Sequence, residues 1–126
     1  KGDIHVVYQP VIDLASGRLV GMEALARWMH PQRGPVSPLT FIPVAEATGM
    51  IGRLGEHVLQ TACRELVRLR ALLGPQAPQT VSVNLSRAQL RQPGFATRLS
   101  ELLYGSGLTP AALMLEVTES LAAQDE

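Results

Sequence analysis

The short connection between the first two apolar segments decides how the chain begins to fold. Residues 4–14 and 19–28 are both predominantly apolar, and a short turn-forming stretch that contains Ser16 and Gly17 separates them. Two strands joined this tightly must run antiparallel, because a parallel pair needs a crossover of about a dozen residues or more. The chain is therefore predicted to open with a β-hairpin.

After the hairpin, helical and strand patterns alternate. The pattern predicts, in order, a Pro- and Gly-rich loop (29–38), a helix that begins at Ser37-Pro38 and ends near Gly49, a long amphipathic helix (52–73), a strand (80–86), a helix stopped by glycine (95–107) and a strand (113–120). Connections of this length are typical of right-handed βαβ crossovers and hence of a parallel sheet. The predicted fold is α/β in one domain over 1–126, an antiparallel hairpin followed by parallel βαβαβ.

Composition excludes several classes of function. The chain has 126 residues, 46% hydrophobic and 17% charged, with a formal net charge of zero, which indicates a globular protein without the basic surface that duplex nucleic acid requires. No apolar run approaches the roughly 20 residues of a membrane span, and the N-terminus has no signal-peptide pattern. The single cysteine, Cys63, lies at helical spacing among apolar residues and is predicted to fill the core. We expect a cytoplasmic protein.

Polar residues recur on one side of the predicted strands. Because side chains alternate between the two faces of a strand, Glu23, Leu25 and Arg27 share one face of the second strand. The same alternation places Asn84, the only asparagine, and Glu116 opposite the apolar residues of their own strands. Both faces of a parallel sheet are ordinarily apolar, so a series of Glu, Asn and Glu needs compensation.

A divalent cation would supply that compensation. Two carboxylates and an amide carbonyl are hard oxygen ligands suited to Mg²⁺ or Mn²⁺, and Arg27 is placed to contact a phosphate. The alternative is structural: Glu23 pairs with Arg27, while Asn84 and Glu116 bond loop backbone. Three strands that each contribute a polar residue favour the metal interpretation and, with the arginine, phosphoryl chemistry.

The order of short motifs resembles one known family. The chain is similar to the N-terminal half of an EAL-type cyclic-di-GMP phosphodiesterase domain, named for Glu23-Ala24-Leu25. The resemblance extends from about Val7 to Ser120 and is carried by YQPVIDL, GMEALARW, GPVSP, FIPVAEATGMI, LGEHVL, VSVNLS and LEVTES. Three letters alone would carry little weight, whereas this ordered series is specific.

The resemblance implies a fold, a set of site residues and a reaction. The fold is a modified TIM barrel whose first strand is antiparallel, with its ligands at the C-terminal ends of the parallel strands. The implied metal ligands are Glu23, Asn84 and Glu116, the implied substrate contacts are Gln9, Leu25 and Arg27, and Glu119 would support the catalytic site. The implied reaction is hydrolysis of cyclic-di-GMP to linear pGpG with two Mg²⁺ or Mn²⁺ ions.

The family's second half does not follow in this sequence. No D-D-F-G-x-G motif or catalytic lysine comes after Glu119, so we expect the 126-residue chain to be a partial domain, inactive in isolation, within an enzyme that hydrolyses cyclic-di-GMP. The alternative is a degenerate EAL module that binds cyclic-di-GMP or a protein partner without turnover. Half a barrel would expose an apolar face, so self-association, as in a homodimer, is also expected.

Overall fold

The computed structural model describes residues 3–118 and contains one mixed sheet with helices on one side. The strands are β1 (Asp3–Ile12), β2 (Leu19–His30), β3 (Gly34–Val36), β4 (Thr80–Ser86) and β5 (Leu113–Thr118). The helices are α1 (Pro38–Thr48), α2 (Ile51–Leu73), α3 (Arg87–Arg91) and α4 (Phe95–Ser106), with short 3₁₀ turns at Gly74–Gln76 and Pro110–Ala112. Among residues 3–118, no helix is long and apolar enough to cross a bilayer.

The strand order confirms the predicted topology. The sheet runs β1-β2-β4-β5; β1 and β2 are antiparallel, whereas β2, β4 and β5 are parallel. The turn between β1 and β2 is held by Asp13, whose carbonyl accepts from the amide of Gly17 at 2.7 Å. Gly17 has φ +71°, a conformation that glycine adopts without steric cost.

The loop predicted after β2 contains a strand instead. β3 pairs antiparallel with the last three residues of β2, from Trp28 to His30. It lies on the same edge of β2 as β4, which pairs with β2 nearer the start of that strand. The turn between them is closed by His30, whose Nδ1 accepts from the amides of Gln32 and Arg33 at 3.1 and 3.3 Å. β2 is thus longer than β4, and the extra length pairs with β3.

The core lies between the sheet and the long helix α2. On α2, Val58, Leu59, Ala62, Cys63 and Leu66 are buried, as the helical spacing predicts. They pack against the sheet residues that we call the core face: Met22, Ala24, Val81, Val83 and Leu85. The opposite side of the sheet, which we call the site face, carries by alternation and register Val7, Gln9, Glu23, Leu25, Arg27, Ser82, Asn84, Met114 and Glu116.

Two sequence details at the helix ends are also confirmed. α1 begins at Pro38, and the carbonyl of Ser37 accepts from the amides of Thr40 and Phe41. α4 ends at Ser106 and is capped by Gly107, whose φ of +82° lets its amide donate to the carbonyls of Leu103 and Tyr104. Cys63 is fully buried, and burial raises the pKa of its thiol, so it behaves as an apolar core residue.

Candidate functional site

The second strand brings three of the predicted site residues to the site face. Glu23 and Arg27 are partly buried, while Leu25 between them is buried, with 8% of its surface exposed. Arg27 donates through Nη1 to the carbonyl of Ala26 at 3.0 Å. The prediction that these three residues share one face of β2 is confirmed by the regular pairing of this stretch with β1, which preserves the alternation of side chains.

Asn84 links the second strand to the fourth. Its Nδ2 donates to Oε2 of Glu23 at 3.0 Å, across the step between the adjacent parallel strands β2 and β4. On its other side, Asn84 stands opposite Glu116 in the register of β4 and β5. Glu23 stands level with Ser82, two residues before Asn84, and neighbouring strands are about 5 Å apart, so the three predicted metal ligands form one diagonal row across three strands.

The side-chain oxygen of Asn84 is the unusual atom in this row. Oδ1 is buried and has no hydrogen-bond partner within the described residues. A buried acceptor without a partner costs about 1–3 kcal/mol, so a structure retains it where something else meets the oxygen. A hard divalent cation is such a partner, because amide and carboxylate oxygens are the ligands it prefers.

The carboxylates on this face are few. Among residues 3–118, no group of three or more His, Cys, Asp or Glu is close enough to hold a metal ion. The site face instead offers three side chains with oxygen ligands: the carboxylates of Glu23 and Glu116 and the amide of Asn84. This set fits part of a site for a hard cation and does not fit zinc.

Two of the predicted site residues are exposed. Gln9 is exposed and pairs with Glu23 in the register of β1 and β2, so its amide stands next to the carboxylate. Glu116 is exposed near the end of β5. Glu119, which the resemblance assigns to the support of the site, lies outside the described residues.

Sequence reasoning missed a buried pair of hydrogen-bonded polar side chains at the end of β4. Ser86 and Gln89 form a capping box at the start of α3: Ser86 Oγ accepts from the amide of Gln89 at 3.3 Å, and Gln89 Oε1 accepts from the amide of Ser86 at 3.1 Å. Both side chains are almost fully buried, at 1% and 2% exposed. The signal was present as S-x-x-Q, the spacing of a capping box, directly after the strand.

Comparison with known proteins places this arrangement in a family. The EAL domain family model matches residues 1–126. The chain is 44% identical over 118 residues to the bifunctional diguanylate cyclase/cyclic di-GMP phosphodiesterase MucR of Pseudomonas aeruginosa, an alignment that covers 94% of this chain and 17% of MucR. It is 39% identical over 121 residues to the cyclic di-GMP phosphodiesterase PA2567 of the same organism, covering 96% of this chain and 20% of that protein.

A solved structure shows the same fold. The PaMucR phosphodiesterase in complex with c-di-GMP superimposes with a TM-score of 0.84 at 38% identity, covering 97% of this chain and 49% of that chain. The present sheet and helices are thus the counterpart of about half of a TIM-barrel-like domain, as predicted. The chain spans a fifth or less of the length of the two relatives named above. Because the family model matches from the first residue to the last, the chain belongs to the EAL domain family.

Proposed function

We propose that this chain provides the N-terminal half of a metal-dependent cyclic-di-GMP phosphodiesterase site. The observation that carries the proposal is the row of Glu23, Asn84 and Glu116, in which the Asn84 oxygen is buried and has no hydrogen-bond partner among residues 3–118. That the similar proteins MucR and PA2567 are named as cyclic di-GMP phosphodiesterases supports the choice of substrate. The reaction is hydrolysis of one phosphodiester bond to give linear pGpG.

The oxygen ligands of the row would hold Mg²⁺ or Mn²⁺. Such an ion lowers the pKa of water and neutralises charge that develops on phosphate oxygens. Glu23 has a second task, because its Oε2 accepts the hydrogen bond that orients the Asn84 amide with Oδ1 turned away from Glu23. The two residues therefore act as a unit in presenting ligand oxygens.

The substrate contacts are assigned to the residues around the row. Arg27 binds a phosphate oxygen through its guanidinium, whose planar donors match the geometry of phosphate. Gln9 is exposed beside Glu23 and binds the nucleotide through its amide. Leu25 packs against the substrate from the floor of the face, through the small part of its surface that remains exposed. Glu119 supports the loops around the site.

The site face also supports association. Val7 and Met114 are 40% and 50% exposed, although they lie on strands of the sheet. Exposed apolar side chains on a sheet face are surface that another chain or another segment covers. We therefore propose that residues 1–126 form a partial domain that self-associates through this face. The isolated chain is inactive, and the protein that contains it works in the cytoplasm.

Product formation tests the function directly. Cyclic-di-GMP and Mn²⁺ are added to the chain and to a longer protein that contains it, and pGpG is measured by chromatography. We expect product from the longer protein, loss of product in Glu23→Gln, and no product from the chain. Glu101→Gln is the matched control, because Glu101 is an exposed carboxylate on α4, away from the site face.

The other outcomes discriminate between functions. Binding of cyclic-di-GMP by the longer protein without product would favour a non-catalytic EAL module. Product from the 126-residue chain would contradict the proposal that it is inactive in isolation. Equal loss of product in Glu23→Gln and Glu101→Gln would contradict the assignment of the site.

A further inference from the structure

The sheet does not by itself hold Asn84 against Glu23. The ladder between β2 and β4 ends at the pair Ala24–Val83, one residue before Asn84, while the ladder between β4 and β5 continues to Ser86–Thr118. The segment 84–86 is therefore fixed by backbone pairing on the β5 side, whereas the hydrogen bond of Asn84 points to β2. Something else must set the position of this segment relative to β2.

The capping box of Ser86 and Gln89 lies where the β2 ladder has ended. Ser86 is the last residue of β4, two positions after Asn84, and Gln89 bonds its backbone amide and its hydroxyl. The Gln89 side chain is 2% exposed, so it has one environment and little freedom to change rotamer. The C-terminal end of β4 is thus held by hydrogen bonds to Gln89, whose side-chain amide is buried.

A glycine in α2 makes room for this amide. A Cβ atom at Gly55 would lie 1.4 Å from Nε2 of Gln89, which is far inside contact distance. Glycine weakens a helix interior, so its presence in the first turns of α2 points to a steric requirement. Gly55 and Gln89 together couple α2 to the end of β4.

We propose that Gln89, seated against Gly55, is a positioning residue that holds the exit of β4 so that Asn84 bonds Glu23 and presents Oδ1. The proposal rests on the proposed metal site for its consequence, because displaced Asn84 would bind the ion less tightly. It goes beyond that site by naming two residues, one on α2 and one on α3, that act through the strand end.

The single asparagine makes the position of Asn84 measurable without any metal. The 126-residue chain labelled with ¹⁵N on asparagine gives one pair of side-chain amide protons, from Asn84. In the wild type the two proton shifts should be well separated, because Nδ2 donates one of its hydrogens to Glu23. In Gly55→Ala and Gln89→Met the separation should fall towards that of Glu23→Ala, which lacks the acceptor.

Mn²⁺ binding gives the second readout. We expect Gly55→Ala and Gln89→Met to weaken the Kd for Mn²⁺ about tenfold, the size of effect seen when a residue that orients a metal ligand is removed. Gln89→Glu keeps a side-chain acceptor at this position of the capping box and should recover the wild-type amide shifts.

Gly52→Ala is the matched control. It makes the same change one helical turn away, where the new Cβ would meet the side chain of Gln92 at 2.4 Å. Gln92 is only partly buried and can rotate away, so both readouts should stay at wild-type values. Folding of each variant is checked by circular dichroism.

Each outcome decides the proposal. Folded Gly55→Ala and Gln89→Met with wild-type amide shifts and Mn²⁺ affinity would overturn it, as would an equal effect of Gly52→Ala. If Gln89→Met does not fold, Ser86→Ala decides, because it removes one hydrogen bond and little volume; unchanged Asn84 shifts in that variant would overturn the proposal. A wild type that ignores Mn²⁺ while the variants still shift the Asn84 amide would refute the metal site and support the positioning role.

Discussion

The two faces of the sheet use the same strands for opposite purposes. On the core face, Val81, Val83 and Leu85 are at most 1% exposed and pack against α2. On the site face, Asn84 carries a buried oxygen that has no partner within the described part of the chain, and Met114 is half exposed. Alternation along each strand separates the residues that stabilise the fold from the residues that we propose to bind metal and substrate. Substitutions on the two faces should therefore change different properties.

The largest effect on stability is expected from the core face. Leu66→Ala removes a fully buried side chain that packs in the main core, and should lower the free energy of unfolding by about 3 kcal/mol. Met114→Ala removes a side chain of similar size from the site face and should cost about 1 kcal/mol or less, because half of its surface is exposed. Urea unfolding followed by circular dichroism measures both. Equal losses would show that the site face is as closely packed as the core.

The next effect separates binding from stability. Asn84→Leu removes the hydrogen bond to Glu23, which destabilises the chain. It also removes a buried oxygen that has no partner among the described residues, which offsets that loss, so the free energy of unfolding should change by about 1 kcal/mol or less. The Kd for Mn²⁺ should weaken about 100-fold, because the substitution removes the oxygen that we propose as a metal ligand. Calorimetric titration measures the affinity.

Asn84→Asp sharpens this comparison. It keeps an oxygen ligand but places a second carboxylate beside Glu23, so the chain should be less stable without metal and should regain stability when Mn²⁺ is added. A melting temperature that does not depend on Mn²⁺ in this variant would contradict the assignment of Asn84 as a ligand.

Much of the fold follows from short-range patterns. The tight turn at Gly17 requires an antiparallel hairpin, and the crossover lengths require parallel strands afterwards. β3 was predicted as a loop, because its three residues form a strand only by pairing with the part of β2 that extends past β4. How far one strand extends past another that is distant in sequence cannot be inferred from the residues of either strand. α3 was missed for a related reason, since five residues are too few for a helical period to be visible.

The candidate site likewise has features that the sequence predicts and features that depend on the folded structure. Alternation was enough to group Glu23 with Leu25 and Arg27, because it depends only on neighbouring positions. That Asn84 bonds Glu23 with one atom and leaves the other unpartnered depends on the register of β2 and β4, which the sequence does not specify. The contact of Gly55 with Gln89 joins residues 34 positions apart in sequence, and required the packing of α2 on the strand end.

A smaller effect is expected at the edge of the core face, on β1. Tyr8 is partly buried, its hydroxyl donates to the carbonyl of Thr61 at 3.4 Å, and burial raises its pKa to about 12. The ordinary pKa of tyrosine is about 10, so the fold favours the neutral form. The stabilisation is complete below pH 10 and is lost as the pH rises from 10 to 12.

Tyr8→Phe tests this contribution. It should remove part of the decline in unfolding free energy between pH 10 and pH 12, about 1–2 kcal/mol after solvent screening of a partly exposed ring, and should leave stability below pH 10 with little pH dependence from this residue. Tyr104→Phe is the control, because Tyr104 is 92% exposed on α4. Identical pH profiles of wild type and Tyr8→Phe would show that the neutral hydroxyl contributes nothing to the fold.

The smallest effect is expected at a charged pair on α2, in which the Arg68 side chain is 59% exposed and the Glu65 side chain 25% exposed. Arg68 donates to both carboxylate oxygens of Glu65, at 3.0 and 2.6 Å, and this contact lowers the pKa of Glu65. A lowered pKa means that the stabilisation is present above pH 4.5 and disappears as the pH falls below it. In Arg68→Ala the pKa of Glu65, followed by NMR titration, should rise.

Stability should hardly respond to Arg68→Ala, because the Arg68 side chain is 59% exposed and water screens the pair. The urea midpoint at neutral pH should stay within experimental error of the wild type, in low and in high salt alike. A clear, salt-dependent loss of stability would mean that a charged pair on the helix surface stabilises the fold as buried groups do. The division between a core face that stabilises the fold and a site face that we propose to bind would then be incomplete, since charge on the surface of α2 would also stabilise the fold.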